Sequence, residues 1–225
     1  MHDPIVLLHG FGSSYDHGWR RHGWADLLTE AGRTVVGIDL LGHGSSPRPH
    51  DPEAYAALPD HALSQFPEGT VDALAFSMGA WTTLNLATAH PQRFRSIALL
   101  GVGDTLFIHG DSSPLADAIV APDPPAPDSG HAIYRRLAEH PANDRYALAA
   151  YLRHGPPRVN PEDLARITAP TLVVVGEQDR AHPANLLVSS LPHGQLVVLP
   201  NLDHYRTPSD PRVVDAVLEW FAAHA

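Results

Sequence analysis

The chain has 225 residues, 44% of them hydrophobic and 18% charged, which suffices for one domain around a continuous core. Cysteine is absent, so disulfides, thiolate metal ligands and cysteine nucleophiles are excluded. Fifteen basic residues, all arginine, against twenty-five acidic ones give a net charge of −10, which argues against binding a nucleic-acid backbone, and lysine chemistry falls away with the missing lysine.

From Met1 the chain runs directly into a short apolar stretch with no basic leader, and no window reaches the ~18 apolar residues of a membrane span. A cytoplasmic protein without membrane contact is therefore expected. Residues 5–8, 34–38, 71–76, 96–100, 171–175 and 195–199 are short, nearly continuous apolar runs rich in β-branched side chains. Such runs predict strands buried on both faces, as in a parallel sheet covered by helices. Between them, 24–31 reads as a helix closed by Gly32, and 77–90 as a helix stopped by Pro91. Asn160 reads as the cap of a helix that opens at Pro161 and continues through 164–167. Residues 208–223 supply a last helix, with Val213, Val214, Val217, Leu218 and Phe221 on one face.

The segment 104–159 breaks this alternation. It carries no buried-strand run, and Pro114, Pro122, Pro124, Pro125 and Pro127 crowd its first half. Two helical patterns follow, at 131–140 and 143–154. The segment is expected to be a lid, because long excursions in compact domains are commonly functional. The domain division that follows is a body of 1–103 and 160–225 with a lid or cap insertion of 104–159.

Residues suited to chemistry lie at predicted strand ends. Ala75-Phe76-Ser77-Met78-Gly79 falls where a strand turns into a helix, and a serine on so sharp a turn needs small residues two positions to either side. A serine that merely caps the helix is the competing reading. His9-Gly10-Phe11-Gly12 follows the first run and offers the Phe11 amide, with the Met78 amide, to an oxyanion. A dinucleotide fingerprint at the same glycines fails because Tyr15 stands where its last glycine is required. Asp179 follows the fifth run and His204 the sixth. A serine hydroxyl needs a base, and the base needs a carboxylate to orient it; the chain order Ser77, Asp179, His204 meets that need.

These motifs resemble the α/β-hydrolase superfamily nearly end to end. Asp39-Leu40-Leu41-Gly42-His43-Gly44-Ser45-Ser46 is similar to the D-x-x-G-H-G-x-S loop of its esterase, lactonase and C–C hydrolase branches. The resemblance implies Ser77 as nucleophile, His204 as general base, Asp179 as its orienting acid, and the Phe11 and Met78 amides as the oxyanion hole. Asp104, after the fourth run, is the competing acid, whereas Asp39 and His43 should brace their loop. Ala75 stands where the family usually has glycine, and Phe76 where it often has histidine. The usual first two strands should be missing, leaving a mostly parallel sheet of about six strands flanked by helices. The edge so left would be exposed or covered by a second copy, so a homodimer is one expectation.

Trp81, one turn into the elbow helix, is a candidate for the substrate pocket wall or for ordinary core, and Tyr134, Tyr146 and Tyr151 could face a pocket from the lid or pack to the body. The sixteen histidines, His2 and His109 among them, show no ligand spacing, so neither a metal nor another cofactor is expected. The expected function is a serine hydrolase cleaving a small or medium carboxylic ester through an acyl-enzyme. The same triad also suits a C–C hydrolase, lactonase or thioesterase, and the same fold suits a non-catalytic small-molecule binding or signalling protein. A serine nucleophile argues against the aspartate-dependent dehalogenase and epoxide hydrolase chemistries of the superfamily.

Overall fold

The computed structural model describes residues 4–108 and 110–225. Met1–Asp3 and His109 lie outside the described residues, and with them the expectations for the chain start, His2 and His109. The six apolar runs form β1 (Ile5–Leu8), β2 (Val35–Ile38), β3 (Val71–Phe76), β4 (Phe94–Leu100), β5 (Thr171–Gly176) and β6 (Gly194–Leu199). They make one sheet in the order β2-β1-β3-β4-β5-β6, with every neighbouring pair parallel. Parallel neighbours require crossovers, and helices supply them. Helices α1 (Tyr15–Gly18) and α2 (Trp24–Glu30) lie between β1 and β2, α3 (Leu58–Leu63) before β3, and α4 (Met78–Ala89) before β4. Four more precede β5: α5 (Ser113–Val120), α6 (Ala132–Ala138), α7 (Arg145–His154) and α8 (Pro161–Leu164). Then come α9 (Asn185–Ser189) before β6 and α10 (Pro211–Ala223) after it.

Alternation along each strand divides the core in two. Val6, Leu8, Ala73, Ala75, Val173 and Val175 face the side covered by α4, while Ile5, Leu7, Leu74, Leu172 and Val174 face α2 and α10. Both faces are covered, so the inner strands show no polar alternation. The edge strands β2 and β6 are only partly buried. At the β2 edge, a Cβ on Gly37 would lie 2.1 Å from the Tyr15 ring, so that ring from α1 lies directly over the strand.

Several boundaries differ from the sequence reading. Helix α10 starts at Pro211, not 208, because the Asp210 carboxylate accepts from the Arg212 amide at 3.0 Å while 207–209 form a separate tight turn. The Asn160 side chain caps no amide; its Nδ2 donates to Asp163 Oδ2 at 3.0 Å, and α8 ends at Leu164. Within the proline-rich stretch α5 forms, with Pro114 in its first turn, where a missing N–H costs nothing.

The segment 104–159 packs closely on the body. Ala116 and Ile119 of α5 and Leu148 and Leu152 of α7 belong to the same buried cluster as the sheet residues. The Asp144 carboxylate caps α7 through the amides of Tyr146 and Ala147, and its other oxygen meets His50 Nε2 at 2.9 Å. The Tyr55 hydroxyl donates to the Ala147 carbonyl at 2.8 Å. Among the described residues no helix is long and apolar enough to cross a membrane.

One buried charge cluster supports the amino end of the sheet. Asp72, fully buried in β3, accepts from the Arg33 and Arg95 guanidinium groups and from Ser96 Oγ at 2.6 Å. Removing one partner of a buried pair leaves the other without its counter-charge, a loss of about 3–5 kcal/mol. Asp72→Ala is therefore expected to lower Tm by about 10 °C. Calorimetry at pH 7 would contradict this if the variant melted with the wild type.

Candidate active site

Parallel strands deliver their carboxyl ends to one edge of the sheet, and the three predicted residues meet there. Ser77, between β3 and α4, has φ 52° and ψ −112°, a left-handed conformation uncommon outside glycine. Its side chain makes no capping bond to α4. Instead Ser77 Oγ lies 3.0 Å from His204 Nε2, which settles the capping alternative. His204 Nδ1 lies 2.8 Å from Asp179 Oδ2, and Asp179 Oδ1 accepts from the Ala181 amide at 2.8 Å. The Asp179 side chain is only 1% exposed and that of His204 22%, so a shielded carboxylate holds a ring that solvent can still reach. With Nδ1–H donating to Asp179, His204 Nε2 is left as an acceptor for the serine proton.

The competing acid is occupied elsewhere. Asp104 Oδ1 accepts from the Leu187 amide at 2.9 Å and so braces α9. On the other side of Ser77, a Cβ built on Gly10 would lie 3.5 Å from Ser77 Cβ, so the Gly10-Phe11-Gly12 turn borders the hydroxyl. Among the described residues, neither the Phe11 nor the Met78 amide donates a hydrogen bond to a protein acceptor. Asn143 Nδ2, from the segment 104–159, donates to the Gly12 carbonyl at 2.7 Å and ties that turn to α7.

The Asp39–Ser46 loop lies behind this turn. Burial alone would raise the Asp39 pKa, but hydrogen bonds from the Ser45 and Tyr15 amides and from the Ser45 hydroxyl outweigh it and hold the carboxyl below the usual range. His43 is fully buried, and burial, reinforced by neighbouring His9, pushes its pKa down to about 3. Its Nδ1 meets the Leu41 carbonyl at 3.1 Å, so it braces the loop as expected and stays neutral. Burial lowers the His9 pKa as well, and His9 Nε2 accepts from the Leu40 amide at 3.1 Å.

Two cavities meet at Ser77. One, of about 300 Å³, has mostly apolar walls from Phe11, Phe76, Tyr134, Leu137 and Tyr205. The other, of about 250 Å³, is lined by Trp81, Thr105, Tyr134 and Arg180. Trp81 thus reaches a wall of the second cavity, and Tyr134 borders both. Tyr151 is buried beneath Phe11, and Tyr146 is half exposed beside Arg145, so neither lines these cavities. The sequence reading missed the roles of Phe76, Gly101, Arg180 and Tyr205. The Phe76 ring lies 4.9 Å from that of His204, and a Cβ on Gly101 would crowd both rings, at 2.7 and 3.2 Å. The glycine at the end of a strand was the one available signal.

A family profile described as "Alpha/beta hydrolase family" matches residues 5–217. Over 99 residues the chain is 35% identical to the pimeloyl-[acyl-carrier protein] methyl ester esterase of Neisseria meningitidis serogroup B, a match covering 42% of this chain and 34% of that protein. The chain thus spans about a third of that relative's length. It is 27% identical to the 2-hydroxymuconate semialdehyde hydrolase of Pseudomonas putida over 261 residues, covering 99% of this chain and 88% of that one. Among solved structures, NosK from Streptomyces actuosus superposes with a TM-score of 0.74 at 19% identity, covering the whole of both chains.

The buried histidines give the fold a pH dependence. Their folded pKa values lie below the unfolded value near 6.5, so folding favours the neutral ring; this balance is intact above pH 6.5 and is lost progressively as pH falls toward 3. For His43 alone the loss at pH 5 is about 2 kcal/mol. Urea unfolding should show lower stability at pH 5 than at pH 7.5, and His43→Gln should flatten that slope. A slope unchanged in the variant would contradict the assignment.

Proposed function

Because the chain belongs to the α/β-hydrolase family, we propose that it is a serine hydrolase that cleaves small or medium carboxylic esters through an acyl-enzyme. The observation that carries the reading is the continuous line from Ser77 Oγ to His204 Nε2 at 3.0 Å and from His204 Nδ1 to Asp179 at 2.8 Å. In this reading Ser77 attacks the ester carbonyl as His204 takes its proton, and Asp179 stabilises the imidazolium. The Phe11 and Met78 amides receive the developing oxyanion. His204 then returns the proton to the departing alkoxide and activates the water that releases the acid. The segment 104–159 acts as the lid, with Tyr134 and Leu137 of α6 closing one wall of the site.

A second reading keeps these residues and changes the bond. The near full-length relative named 2-hydroxymuconate semialdehyde hydrolase supports it, and it extends to C–C, lactone and thioester substrates. A panel of nitrophenyl esters, lactones, thioesters and vinylogous diketones separates these bonds by relative kcat/KM.

Wild-type protein is expected to hydrolyse 4-nitrophenyl butyrate and to label at Ser77 with a fluorophosphonate. Ser77→Ala should lose the label and at least about 10³-fold of the rate. Equal rates in both proteins, or a folded wild type that takes no label, would overturn the hydrolase reading in favour of a binding protein.

A further inference from the structure

The two cavities beside Ser77 differ in their lining, and that difference bears on the substrate. The apolar cavity contains no arginine, whereas the other is bordered by Arg180 together with the Asp179–His204 pair. Arg180 directly follows Asp179, whose carboxylate is fixed by both His204 and the Ala181 amide, so the backbone carrying Arg180 is set relative to the reacting atoms.

Arg180 is also free of a carboxylate partner. Eight of the fifteen arginines pair with an Asp or Glu; among the described residues Arg180 is one of those that do not, and it is the one that borders the cavity at Ser77. Its guanidinium lies 5.9 Å from the Tyr134 ring centre and donates to the Tyr134 hydroxyl at 3.4 Å. This neutral partner orients the group without forming an ion pair with it.

We propose that Arg180 binds a carboxylate carried by the substrate, so that the site selects esters bearing a free carboxylate, with the apolar portion in the cavity of Phe11, Phe76 and Leu137. The proposal rests on the hydrolase reading and adds the substrate class. In a chain of net charge −10 the overall field repels an anionic ester, so a carboxylate can be held only where a local cation such as Arg180 offsets that field. A guanidinium presents two parallel donors that match a carboxylate, and Arg180, although exposed, is held at the cavity rim by Tyr134.

The test compares esters that differ only in the carboxylate. On the acyl side these are 4-nitrophenyl hydrogen glutarate and 4-nitrophenyl valerate; on the alcohol side, 4-acetoxybenzoate and its methyl ester. In Arg180→Gln the anionic-to-neutral ratio of kcat/KM should fall about tenfold for at least one pair, mainly through KM, and Arg180→Lys should recover part of it. The acyl or alcohol pair that responds identifies which half carries the carboxylate. Ratios unchanged in Arg180→Gln for both pairs overturn the proposal.

Binding separates this outcome from failure of the hydrolase reading. By calorimetry, Ser77→Ala should bind 4-nitrophenyl hydrogen glutarate or 4-acetoxybenzoate about tenfold more tightly than Ser77→Ala/Arg180→Gln. Equal affinity for both ligands overturns the role of Arg180 even if turnover is Ser77-dependent. A difference in affinity upholds it even if turnover is not.

Discussion

A Cβ on Gly79 would lie 2.4 Å from the Leu8 carbonyl oxygen and 2.8 Å from that of His9, so α4 docks on the end of β1 only because residue 79 has no side chain. That approach sets the turn between β3 and α4. It holds Ser77 at φ 52°, a conformation that costs on the order of 1–3 kcal/mol and persists where the surroundings over-determine it. Here the Ser77 amide donates to the Leu100 carbonyl at 2.9 Å, and the buried faces of β3 and α4 leave no room to relax. The hydroxyl is therefore aimed by backbone packing, before His204 contributes anything.

The residue preceding Ser77 then organises both flanks. The Phe76 ring lies where side chains on Gly10 and Gly101 would otherwise sit, with clearances to their missing Cβ atoms of 2.8 and 2.7 Å. One edge of that ring touches the Gly10-Phe11-Gly12 turn and one face supports His204. The phenylalanine at this position thus couples the placement of Gly10 to that of the histidine. From the opposite side, Asn143 and Leu137 pin the same turn, since a Cβ on Gly12 would lie 3.0 Å from Leu137 Cβ. The segment 104–159 is consequently part of what shapes the turn.

The sheet was legible in the sequence because burial on both faces leaves uninterrupted apolar runs, and all six produced strands. Ser77, Asp179 and His204 were legible for a related reason: Ser77 directly follows such a run, Asp179 and His204 lie in the short loops that follow two others, and parallel strands bring those ends together. Short helices were not. Tyr15–Gly18, Leu58–Leu63 and Asn185–Ser189 span about one turn or little more, too short for a periodicity of 3.6 to register. Helix α5 was hidden because proline reads as a breaker, although in a first turn it is tolerated. Arg180 and Phe76 were opaque for a different reason: their positions depend on which faces meet after folding, and no local pattern records that.

Charge is distributed along β3 in a way that separates stability from reactivity. Asp72, at the amino end, is neutralised inside the fold by Arg33 and Arg95, five positions from Ser77, or about 16 Å along an extended strand. At the carboxyl end, the buried rings of His9 and His43 behind the Gly10-Phe11-Gly12 turn are kept neutral by their surroundings. Asp179 is the buried carboxylate that meets His204 there, with Ser77 on the other side of the ring. The ion cluster that stabilises the sheet thus stands at the amino end of β3, and the Ser77–His204–Asp179 line at its carboxyl end has one shielded carboxylate beneath it and buried neutral rings behind it.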